Sequence, residues 1–76
     1  MIIEMKPVES SLIAAIGYDG DSGELRVQFR RGGTTYVYNA VQPHIHHNLM
    51  EAESVGKFFL GEIKGVYPGK KLEEKP

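Results

Sequence analysis

The 76 residues leave room for one domain, and a chain this short buries only about 60% of its unfolded surface, which leaves little volume for a closed catalytic cleft. There is no cysteine, so disulfides, thiolate zinc sites and cysteine nucleophiles are excluded. The net charge of −1 and a pI near 6.3 fall short of the values above about 9 that mark strong nucleic-acid binders. The charge is nevertheless uneven. Residues 1–25 set one lysine against five acids, a net of −4, whereas residues 26–71 set seven cations against three acids, a net of +4. The basic part also holds most of the aromatics.

Residues 1–9 read as an extended lead-in, because Pro7 lacks an amide donor and pushes Lys6 away from helix. This segment has no long apolar run of the signal-peptide kind, and no stretch approaches the roughly 20 residues needed to span a bilayer. The expectation is a cytoplasmic protein with no membrane partner. The apolar run Leu12–Tyr18 ends in the turn cluster Asp19-Gly20-Asp21-Ser22-Gly23 and predicts a first strand. Leu25, Val27 and Phe29 alternate with Arg26, Gln28 and Arg30, which predicts a second strand with one apolar and one polar face. Arg31-Gly32-Gly33 supplies a hairpin turn. Residues 34–41, rich in β-branched and aromatic side chains, make a third strand, with Tyr36 and Tyr38 on one face.

Pro43 suits the first position of a helix, and Ile45, Leu49 and Ala52 form a helical stripe ending near Glu53. Ser54-Val55-Gly56 reads as a break, with Gly56 as a left-handed helix end. Phe59, Leu60 and Ile63 give a second short helix closed by Gly65. Residues 68–76 read as a flexible charged tail. The fold class is α+β: a three-stranded antiparallel meander followed by two short helices packed on one face. Leu25, Val27, Phe29, Leu49, Phe59 and Ile63 are its expected core.

His44, His46 and His47 are the first residues to weigh as ligands. Zinc usually takes three or four protein ligands, and no motif supplies the rest, so solvated histidines at a helix end are expected and no metal. No G-x-S-x-G elbow marks a nucleophile. Gly32-Gly33 is followed by no lysine-serine or lysine-threonine pair, so it is a turn rather than a phosphate loop. An enzyme is not expected, nor a cofactor. Tyr36 and Tyr38 leave two readings open. Facing inward they are core with hydroxyls at the edge, and facing outward they form a stacking platform for bases.

The order Ser10-Ser11, Gly17-Tyr18-Asp19, Leu25-x-Val27-x-Phe29-x-x-Gly32, Tyr36-x-Tyr38, Pro43, Ala52-x-Ser54-x-Gly56, Phe59 and Ile63 resembles the KTSC domain, a small domain named after the C-terminus of some lysyl-tRNA synthetases. The resemblance spans about residues 8–67, with the domain itself placed at 10–67, and implies a stand-alone bacterial or phage protein. Gln42 stands between Val41 and Pro43, where the family more typically has valine followed directly by proline. The resemblance carries no established activity and names no catalytic residue. It implies RNA binding only by association with a synthetase.

The expected function is therefore a small non-enzymatic module that contacts RNA or a nucleotide. Arg26, Arg30, Arg31, Lys57 and Lys64 would meet phosphate, and Tyr36 and Tyr38 would meet bases. The alternative is a protein partner or a homodimer, met through a sheet edge.

Overall fold

The computed structural model describes residues 3–72. Five strands form one antiparallel sheet in chain order: β1 (Lys6–Pro7), β2 (Ile13–Asp19), β3 (Glu24–Phe29), β4 (Thr35–Tyr38) and β5 (Gly69–Lys71). Helices α1 (Pro43–Glu51) and α2 (Val55–Glu62) lie between β4 and β5 in the chain. The class is α+β as expected, but the sheet has five strands rather than three. The two extra strands are the edges. They fall in the segments read as a lead-in and as a flexible tail, and residues 73–76 of that tail lie outside the described residues.

The core follows from alternation. Leu25 and Val27 are fully buried on the helix side of β3, and their cross-strand neighbours Tyr38 and Tyr36 lie on the same face. Leu49 from α1, Val55 and Phe59 from α2 and Ile63 directly after it close over them. Burying side chains of this kind is worth about 1.5–3 kcal/mol each and is the main source of stability in so small a domain. Phe29, expected in the core, lies on the correct face but is only half-buried, at the open end of the sheet.

Three local features depart from simple patterning. Ile13 and Ile16 both face the core although three apart, because the ladder shifts register between Ile13 and Ala15. A bulge places two residues opposite one and so resets the alternation. Val41 is buried although β4 ends at Tyr38, because Ala40 takes a positive φ of 61° and turns the chain. Gly56 does not end a helix. It sits in the first turn of α2, which Ser54 caps by accepting from Lys57 N at 3.3 Å. A Cβ at Gly56 would stand 3.3 Å from Ser10 Oγ and 3.4 Å from Leu12 Cβ, so this glycine lets the helix approach the chain before β2. Gly32 and Gly33, with φ of 81° and 70°, form the predicted hairpin turn.

Candidate nucleic-acid interface

Of the seven residues proposed from sequence, Arg26, Tyr36 and Tyr38 lie in strands, and period-two alternation puts Arg26 on the face opposite the two tyrosines. Arg26 points away from the helices, and its Nε donates to Glu24 Oε2 at 2.5 Å, the one ion pair among the described residues. Arg30 lies just past the end of β3 rather than on its solvent face. Its Nε donates to Ser10 O at 2.8 Å, and one Nη donates to Val8 O and Ile13 O at 3.1 and 3.3 Å. That guanidinium is committed to three backbone carbonyls and ties the start of the hairpin to the chain entering β2. Arg26 and Arg30, expected from the sequence to meet phosphate together, thus have separate surroundings: one is paired with a carboxylate and the other bonds backbone carbonyls of the fold.

The remaining residues converge further. Arg31, Tyr36, Tyr38 and Lys64 line a single groove with Ser11, Leu12, Phe29 and Thr34. The groove lies between the β3–β4 hairpin and the end of α2, with a volume of about 590 Å³. That is within the range of about 300–1,000 Å³ typical of small-ligand sites. Its aromatic floor is rigid. The Phe29 ring meets Tyr36 and Phe59 edge-on at centroid distances of 5.4 and 5.5 Å, and Tyr38 meets Phe59 at 5.6 Å. Such edge-to-face pairs fix ring orientation and add about 0.5–1.5 kcal/mol each beyond burial. Neither tyrosine lies on the outer sheet face, so no open stacking platform forms there. Tyr38 is 5% exposed and Tyr36 is half-buried.

Arg31 comes from the hairpin turn and Lys64 from the residues after α2, and neither is ion-paired to any described residue. Lys57 is exposed near the start of α2, in an adjoining hollow that shares Ser11 and Leu12 with the groove but also contains Glu9 and Glu53. Those carboxylates make that hollow less suited to phosphate. Sequence reasoning missed Ser11 and Thr34 as groove residues. The Ser10-Ser11 pair marked the position without indicating which way it faces.

A second hollow, of about 640 Å³, lies on the outer face between Glu24, Arg26, Val37, Asn39, Lys70, Lys71 and Leu72. It contains no aromatic ring, and its arginine is already neutralised by Glu24.

The histidines play a different part. His46 stacks on Tyr18 with ring centroids 4.4 Å apart and planes 15° from parallel, and the Tyr18 hydroxyl donates to Val41 O. His44 and His47 are exposed. Among the described residues, no three His, Asp or Glu side chains gather to hold a metal. No helix among them is long and apolar enough to cross a membrane.

The KTSC domain family model matches residues 9–67, which include the hairpin, both helices and every groove residue. The chain belongs to the KTSC domain family. This KTSC domain is 44% identical to a KTSC domain protein from Yersinia pestis whose crystal structure superposes with a TM-score of 0.89, covering 95% of this chain and all of that one. The likeness thus extends beyond residues 9–67 into the flanking segments. A protein from Tsukamurella paurometabola is 47% identical over 60 residues, 79% of this chain and 88% of its own length. An uncharacterized protein from Stutzerimonas stutzeri is 38% identical over 52 residues, 68% of this chain and 72% of its own. These relatives carry no activity over to the KTSC domain described here.

Proposed function

We propose that this KTSC domain is a non-enzymatic binding module that contacts nucleic acid through the groove between the β3–β4 hairpin and α2. The observation that carries the reading is the joining of an aromatic floor, Phe29, Tyr36 and Tyr38, to two cations, Arg31 and Lys64, that have no carboxylate partner among the described residues. Aromatic rings accept bases and free cations accept phosphates, and few other ligands need both in one groove. Among the described residues the groove holds no histidine, aspartate or glutamate, the side chains that most often act as general acid or base.

The alternative, a protein partner met through a sheet edge, is less well supported. Both edges are short, two residues in β1 and three in β5, and carry Lys6, Pro7, Lys70 and Lys71. Short strands bearing lysine and proline are how proteins discourage strand addition.

Fluorescence anisotropy with a labelled RNA oligonucleotide at about 50 and 200 mM salt tests the reading. Binding at low salt is expected, and the double variant Arg31→Gln/Lys64→Gln should lose about tenfold in affinity and flatten the salt dependence by up to two phosphate contacts. No binding of the parent at low salt would transfer the function to a protein partner.

A further inference from the structure

Tyr38 combines two properties that ordinary core tyrosines do not. Its ring is buried against Phe59 and over Gly69, where a Cβ would stand 2.9 Å from its Cζ. Yet its hydroxyl makes no hydrogen bond to any described residue. No buried side-chain polar atom among them is sealed from solvent without a partner, so this hydroxyl opens to the surface, and Tyr38 lines the groove. A buried tyrosine usually satisfies its hydroxyl within the protein, because an unmet donor in a packed site costs about 1–3 kcal/mol. The Tyr36 hydroxyl likewise has no partner among the described residues. Burial, and then the neighbouring Tyr36, raise the Tyr38 pKa above its usual value of 10.0, so the group is a donor in neutral solution.

On the reading of the groove given above, we infer that it holds one unpaired base of a single nucleic-acid strand, inserted edge-first so that the Tyr38 hydroxyl donates to an acceptor on the base while Arg31 and Lys64 meet the phosphates on either side. Three features point to this occupant. A paired base has its Watson–Crick edge engaged and its faces stacked, so a duplex cannot place one at the floor of a groove. The concavity of about 590 Å³ accommodates a nucleotide but not a double helix. The cations come from two separate segments, one from the hairpin turn and one from beyond α2, and a nucleotide within a strand has a phosphate on each side, whereas a free monophosphate has one.

The test compares three probes, a single-stranded RNA oligonucleotide, the same sequence annealed as a duplex, and a mononucleotide monophosphate, on the parent protein and on Tyr38→Phe. The expected result is single-strand binding about tenfold tighter than either other probe, on the order of 1.4 kcal/mol. Tyr38→Phe should weaken single-strand binding about fivefold, the scale of one lost hydrogen bond, with the melting temperature unchanged because that hydroxyl has no partner among the described residues. If single strands bind and Arg31→Gln/Lys64→Gln weakens them, but duplex binds equally well or Tyr38→Phe has no effect, the single-base inference is overturned and the groove reading stands. A mononucleotide that binds as tightly as the strand also overturns it. If no strand binds the parent at low salt, both fall together.

Discussion

The two faces of the β3–β4 hairpin are built from adjacent residues of the same strands, yet they differ in everything that bears on binding. The helix side has Phe29 and Tyr38 packed edge-on against Phe59 and Tyr36 packed edge-on against Phe29, with Arg31 and Lys64 beside them in no ion pair among the described residues. The outer side has Val37 between Arg26 and Lys70, no ring, and a carboxylate already on its arginine. Lys70 and Lys71 on the outer side are no more ion-paired among the described residues than Arg31 and Lys64, so free cations alone do not separate the faces. What separates them is the rigid aromatic surface beside the groove cations, and the carboxylate that the outer side carries on Arg26. Surface charges that are already paired contribute little, and their counter-ions repel the phosphate they would have to bind.

The largest expected effect lies beneath both faces. Phe59 is fully buried and contacts the rings of Phe29 and Tyr38, so Phe59→Ala removes the floor's support. A loss of about 3–5 kcal/mol is expected, enough to unfold a domain of this size, as read from urea denaturation. A midpoint close to that of the parent would mean the groove floor does not rest on this ring.

Arg30 and Arg31 sharpen the comparison because they are consecutive. Arg30→Gln loses hydrogen bonds to the carbonyls of Val8, Ser10 and Ile13 and should lower stability by about 1–2 kcal/mol without altering oligonucleotide affinity. Arg31→Gln should do the reverse. If thermal melts and binding titrations show the two roles exchanged, the assignment of the hairpin cations is wrong.

The smallest expected effect is one of pH. Burial, then His47 and then Lys6, lowers the His46 pKa from its usual 6.5. A folded-state histidine that resists protonation contributes its full stability above the unfolded value of 6.5. As pH falls below 6.5 the unfolded chain binds more protons, and that contribution is lost towards the lowered folded value. Glu4, which shares a hollow with Lys6, Tyr18 and His46, opposes the repulsion and keeps the effect small. The thermal midpoint should fall modestly between about pH 7.5 and 5.5, and fall less in His46→Gln. An equal fall in both proteins would show that His46 is not the titrating group.

Much of this was legible in the sequence because alternation and helical spacing are strong signals. Leu25 and Val27 fixed the buried side of β3, and the spacing of Phe59 and Ile63 placed α2 on the core. Edge strands β1 and β5 had no such signal, since they are held by backbone pairing and their exposed side chains follow no apolar pattern. Gly56 was misread because a glycine that ends a helix and one that admits a close neighbour look the same in sequence. The fate of Arg30 depends on carbonyls more than fifteen residues away, which no local pattern encodes. Four of the seven proposed contact residues nonetheless fall in one groove, because Tyr36-x-Tyr38 and the glycine turn beside Arg31 fix their own geometry locally.

The central claim is that the helix-side groove, and not the outer sheet face, meets the nucleic acid. Backbone amide chemical-shift mapping of the labelled protein with a single-stranded oligonucleotide tests it most directly. Thr34, Tyr36, Tyr38 and Lys64 should shift together with increasing ligand, while Glu24, Val37 and Lys70 stay within the noise. Shifts concentrated on Glu24, Val37 and Lys70, with Thr34 and Lys64 unmoved, would contradict it.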